Sequence, residues 1–144
     1  MDPDRPAWLF LDLWSAARRS VRQVTLLLEE QGVGDNELSA LLHLATSPAG
    51  LTVTNLAEEM GVAFMSASDA AGRLEKAGDL ERVPHATDRR SSVVRLTKTG
   101  AARARSALTL LDELARTIAA DGGATTEELS QLAARLNEVL TAAE

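Results

Sequence analysis

The chain has 144 residues, 45% hydrophobic and 25% charged, with a formal net charge of −6, which suits one compact domain or one protomer whose long terminal helices find partners on a second chain. It holds no cysteine, so disulfides, thiolate metal sites and a cysteine redox switch are excluded. No apolar run approaches a membrane span and Met1-Asp2-Pro3-Asp4-Arg5-Pro6 is no signal peptide, so the expected protein is soluble, cytoplasmic and without membrane contact.

Pro6 is placed to open a helix, and from Ala7 to about Gln31 the residues Phe10, Trp14, Ala17, Val21, Val24 and Leu28 return every three or four positions. Trp8, Leu9, Leu11, Leu13, Leu26 and Leu27 widen the stripe. A helix apolar on more than one side wants more than one neighbour, here its own domain and a partner protomer. Gly32 and Gly34 end it. A second helix is expected from Asp35, read as its cap, to about Thr46, with Leu38, Leu41, Leu42 and Ala45 inward and Ser47-Pro48-Ala49-Gly50 as its break.

The stretch Leu51 to Gly100 reads as helix, turn, helix, hairpin. Thr52 sits where an N-cap would, Leu56 and Met60 recur at helical spacing, and Gly61 permits the sharp exit. A second helical run from about Phe64 to Ala77 sets Ala67, Ala70, Ala71 and Leu74 on one side, with Ser66, Ser68, Asp69, Arg73 and Lys76 over the rest and Gly78 at C′. Small inner side chains allow close packing, while short hydroxyls and cations outside are what a helix in a DNA major groove presents. The segments Leu80–Val83 and Val93–Leu96 are β-prone, and the loop from Pro84 to Ser92 is long and polar enough to be a mobile wing. Within it, Asp88 can fix one guanidinium of Arg89 and Arg90 while the other reaches a phosphate or a minor groove.

Charge is unevenly spread. From Arg73 to Arg105 nine cations face four carboxylates, giving +5, and the remainder carries −11, a distribution that lets one face engage DNA while the rest is repelled. Beyond the hairpin, Thr97 caps a long helix with Ala101, Ala104, Leu108, Leu111, Ala115 and Ile118 in a stripe to about Ala120. Asp121-Gly122-Gly123 reads as a hinge. Thr125 with Glu128 forms a capping box, and Leu129, Leu132, Ala133, Leu136, Val139 and Leu140 make the last helix amphipathic. So much apolar helix outside the central block is most economically buried in a homodimer.

The motifs Arg73-Leu74-Glu75-Lys76-Ala77-Gly78, Asp88-Arg89-Arg90 and Val94-Arg95-Leu96-Thr97-Lys98-Thr99-Gly100, in this order and spacing, resemble the multiple antibiotic resistance regulator (MarR) family. That resemblance implies a mainly α fold with a small β-hairpin wing, a winged helix-turn-helix between long N- and C-terminal dimerisation helices. It divides the chain into residues 1–34, 35–100 and 101–144. It also implies a homodimer on palindromic double-stranded DNA, a transcriptional repressor released by a small-molecule effector. The candidate DNA-contacting set is Ser66, Ser68, Asp69, Arg73, Lys76, Arg82, Arg89 and Arg90. For an effector held between the dimerisation helices and the DNA-binding lobe, the candidates are Trp14, Arg18, His43 and Leu111, with Trp14 and Leu111 as plain core residues the alternative.

Two positions depart from the family pattern. Asp69 stands where a basic residue is common, and Ala63 where a Ser or Thr cap is common. Asp69 either faces solvent, pairs with Arg73 four residues on, or accepts from cytosine N4. The alternative function is a dimeric winged-helix interaction protein with weak or lost DNA binding. The two histidines, His43 and His85, are far apart in sequence and lack thiol company, so no metal or cofactor is expected. There is no Gly-rich phosphate loop or nucleophile elbow, and Glu58-Glu59 reads as a solvated helix face, so no enzyme is expected.

Overall fold

The computed structural model describes residues 7–29, 32–88 and 90–142, without the side chains of residues 7–10 and 27. Pro6, Gln31 and Arg89 therefore lie outside the described residues. The element order is α1 (Ala7–Glu29), α2 (Asp35–Ala45), α3 (Val53–Met60), α4 (Phe64–Lys76), β1 (Leu80–Pro84), β2 (Ser92–Leu96), α5 (Lys98–Asp121) and α6 (Thr126–Thr141). The chain is mainly α with a two-stranded hairpin. It divides into two compact units, residues 1–104 and 105–144.

In the first unit the core is made by α2, α3, α4 and the hairpin. Ala40, Leu41, Leu44, Leu56, Ala71, Leu74, Leu80, Val94 and Ala104 form its buried cluster, with Leu51, Val53, Met60 and Leu96 packed against it. The small residues of α4, Ala67, Ala70 and Ala71, are fully buried, which lets this helix lie close on its neighbours.

Local chemistry sets the element ends. The Thr52 hydroxyl accepts from the Asn55 N–H at 3.1 Å and starts α3, and Gly61 ends it in the left-handed region at φ 66°. Gly78, at φ 81°, follows α4. Thr97 is the cap of α5: its hydroxyl accepts from the Gly100 N–H at 3.1 Å and donates to the Gly78 carbonyl at 2.7 Å, so one side chain joins the start of α5 to the turn before β1. The sequence misplaces one cap. Asp35 is the first residue of α2, and Gly34 is its N-cap, without a side-chain cap bond.

The strands pair antiparallel with Leu80 opposite Leu96 and Arg82 opposite Val94, and each runs one residue further than the sequence predicts, to a Pro84–Ser92 pair. Leu51 adds a bridge outside the hairpin: its N–H donates to the Val94 carbonyl at 3.0 Å and its carbonyl accepts from the Val94 N–H at 2.8 Å. The entry to α3 is thus tied to the second wing strand.

In the second unit, Gly122 and Gly123 form the turn between α5 and α6. Thr125 and Glu128 make the expected capping box. The Glu128 carboxylate accepts from the Thr125 N–H at 2.8 Å, and the Thr125 hydroxyl accepts from the Glu128 N–H at 3.2 Å. No residue of α6 is buried.

Candidate nucleic-acid interface

α4 is the second helix of a helix-turn-helix, and its composition decides what it shows. With Ala67, Ala70, Ala71 and Leu74 turned into the core, Ser66 and Ser68 are half-buried, while Asp69, Arg73 and Lys76 are exposed. Ala63, at its N-cap, gives no side-chain cap bond.

The cations of this region differ in how far they are committed. Arg73 reaches back to α2, where its Nη1 donates to Glu37 Oε1 at 2.6 Å. The Glu37 side chain is nearly buried, at 11% exposure against 65% for Arg73. That hydrogen bond first, and the carboxylate charge second, raise the Arg73 pKa above its ordinary value; Asp69 adds only a minor contribution. The spacing of Asp69 and Arg73 suggests a pair, but the stronger partner lies 36 residues away in sequence.

Arg82, on β1, donates to Glu75 at 3.1 Å and to the Ser92 hydroxyl at 3.5 Å. Arg95 donates to Glu81 at 2.6 Å, its partner in the strand register. Arg103, on α5, pairs with the buried Asp79 just before β1. Among the described residues no ion pair holds Lys76 or Arg90, and both are exposed.

The wing tip is built by local bonds. His85 Nδ1 accepts from the N–H groups of Thr87 and Asp88, at 3.2 and 3.3 Å. Asp88 Oδ1 accepts from the backbone N–H of Arg90 at 3.0 Å, so this carboxylate shapes the turn through the main chain of Arg90. The His85 N–H donates to the Ser91 carbonyl at 3.0 Å and closes the loop at its base.

Of the candidate effector residues, Trp14 and Arg18 are in contact. The Arg18 guanidinium stacks on the Trp14 ring at 4.1 Å, a cation–π contact on the exposed side of α1. Both line an open groove of about 570 Å³ formed by residues of α1 alone, among them Ala17, Val21, Arg22 and Leu26. His43 lies instead 3.6 Å from Glu59, and Leu111 is half-buried in the second unit. No described helix is long and apolar enough to cross a membrane.

A helix-turn-helix followed at once by a paired hairpin defines the winged helix-turn-helix class. Residues 31–91 match the model of the MarR family. A curated relative, the transcriptional activatory protein BadR of Rhodopseudomonas palustris, is 31% identical over 94 residues, covering 64% of this chain and 54% of that protein. The chain thus spans about half the length of that relative. Among solved structures, the transcriptional regulator BldR from Sulfolobus solfataricus superposes with a TM-score of 0.82 at 21% identity, covering 98% of each chain. A mutant MarR from E. coli complexed with operator DNA gives 0.76 at 22% identity, covering 92% of this chain and 93% of that one. At such identities the likeness is one of fold.

Proposed function

We propose that this protein is a DNA-binding transcriptional regulator that works as a homodimer on a palindromic operator. In this reading residues 35–100 bind DNA and residues 1–34 and 101–144 dimerise. The observation that carries it is the combination of an exposed α4 surface ending in Lys76 with a hairpin tip carrying Arg90, two exposed cations that no ion pair holds among the described residues. Ser66, Ser68, Asp69 and Lys76 face the major groove, and Arg89 and Arg90 reach the phosphates or the minor groove. Arg73 and Arg82, held by Glu37 and Glu75, contribute chiefly by keeping α4 and β1 in place. The operator-bound structural neighbour and the regulator-named relatives support the same reading.

Regulation follows from dimer geometry. A small molecule that fits only a protomer spacing unsuited to DNA weakens operator binding by its differential affinity for the two spacings, which makes the protein a repressor released by its effector. The Trp14–Arg18 stack, with an aromatic face and a cation side by side, supplies the chemistry for an apolar ligand carrying negative charge.

The test is a fluorescence-anisotropy titration of the whole chain against its own promoter DNA and a scrambled duplex at two salt concentrations. Tight, salt-sensitive binding that prefers the promoter is the expected result. Equal weak binding to both would favour the second reading, a winged-helix interaction protein, to which the exposed Asp69 on α4 lends weight.

A further inference from the structure

The outer ridge of α4 carries two residues that folding does not explain. With Ala67, Ala70, Ala71 and Leu74 buried, 3.6 residues per turn place Met65, Asp69, Gly72 and Lys76 along the opposite side. Met65, in the first turn, is 65% exposed. Gly72 is stranger still. It sits inside the helix with ordinary helical backbone, and a Cβ built on it would meet no atom within 4 Å. Neither backbone geometry nor packing among the described residues asks for glycine there, although glycine weakens a helix interior relative to alanine.

Both oddities have one physical explanation if a surface approaches this ridge from outside. Asp69 and Lys76 share the ridge and Ser66 and Ser68 flank it, so the surface to be met is polar with one apolar feature. The major groove fits that description, because its base edges offer hydrogen-bonding groups together with the thymine C5-methyl. Residues near the N-terminus of a groove-bound helix reach base edges, and those further along approach the sugar-phosphate backbone.

Resting on the regulator reading above, we propose that Met65 recognises a thymine methyl in each half-site and that Gly72 is the point where α4 lies closest to the DNA. A Cβ at position 72 holds the helix off the groove. Asp69 stands one helical turn, about 5.4 Å, from Met65, which is one to two base steps of roughly 3.4 Å. The carboxylate of Asp69 therefore falls beside a base pair next to that thymine, where cytosine N4 is its natural donor.

The experiment begins with selection of bound duplexes from a random library by the whole chain. Failure to enrich any sequence overturns the regulator reading and this inference with it. On an enriched duplex, each thymine is replaced in turn by deoxyuridine, which removes only the C5-methyl. Wild-type protein is expected to lose affinity about fourfold at one thymine per half-site, the worth of one buried methyl. The Met65→Gln variant is expected to bind thymine and uracil duplexes equally. Gly72→Ala is expected to raise the melting temperature by about 3 °C while weakening operator binding at least tenfold, opposite signs that a purely structural glycine does not give. With an enriched duplex in hand, three results overturn this inference alone: indifference of the wild type to every uracil, persistent discrimination by Met65→Gln, or wild-type affinity in Gly72→Ala.

Discussion

Carboxylates hold Arg73, Arg82, Arg95 and Arg103, and that decides which cations of the basic segment can meet phosphate. An arginine already donating to a nearly buried Glu37 must abandon that partner before it can bind elsewhere, and the stranded carboxylate makes the exchange unfavourable. Among the described residues no carboxylate holds the Arg90 side chain in an ion pair, and it is exposed. The double variant Arg89→Ala with Arg90→Ala should weaken operator binding at least tenfold and lower the salt slope by about two. Sedimentation should still find the dimer, and unchanged affinity would refute the wing assignment. Arg73→Gln should instead act on the fold. Its melting temperature should fall clearly below that of Arg95→Gln, where both partners are half-exposed and the pair is worth at most about 1 kcal/mol. Equal melting temperatures would show that the Glu37 contact holds nothing together. The Glu81–Arg95 pair was within reach of the sequence, since the strand register sets the two opposite each other. The Glu37–Arg73 pair was not, because no local rule joins residues 36 apart; the nearer Asp69 offered itself first.

Among the elements, the helices with side-chain caps were the most legible. Thr52, Thr97 and Thr125 each accept from an N–H three residues on, a pattern visible as a hydroxyl residue just ahead of apolar periodicity. Asp35 misled because aspartate is equally at home in a first helical turn, where its charge suits the helix dipole. The Leu51–Val94 bridge was invisible, since a single residue of extended backbone has no periodicity. The capping box of α6 yields an acid-sensitive stability. Hydrogen bonds from Thr125, its backbone N–H foremost, lower the Glu128 pKa in the folded chain below its ordinary value. The contribution is therefore complete above the ordinary carboxylate range and is lost as pH falls through the depressed value. Thr125→Ala should cost about 1 kcal/mol at neutral pH, read by thermal melting. Because the backbone N–H of residue 125 survives this substitution, only the hydroxyl's share is tested: the gap between variant and wild type should narrow in acid, and a gap independent of pH would mean that the Thr125 hydroxyl does not help to hold the Glu128 carboxylate.

For the molecule as a whole, the apolar surface left outside demands an occupant. On α6, Leu129, Leu132, Leu136, Val139 and Leu140 are all exposed, and on α1 so are Leu11, Trp14, Val21 and Leu26. Exposed apolar stripes of this size mark interaction surfaces, and a second copy of the chain is the partner the proposed function requires, because two recognition helices related by a two-fold axis read two half-sites about one DNA turn apart. The amphipathic periods made these stripes legible in the sequence, but a core stripe and an interface stripe look alike until burial within the protomer is known. Leu132, 68% exposed, separates the two cases. A glutamate at such a position costs a monomer little, because the side chain already stands in water and glutamate is a good helix former. If that face is shared with a partner, the same substitution buries a charge in an apolar seam. Leu132→Glu should therefore leave the circular-dichroism spectrum unchanged while raising the dimer dissociation constant at least a hundredfold by sedimentation. Operator binding should fall with it, as each half-site is then read alone. A variant that remains a tight dimer would move the interface away from α6 and leave α1 as the face that pairs.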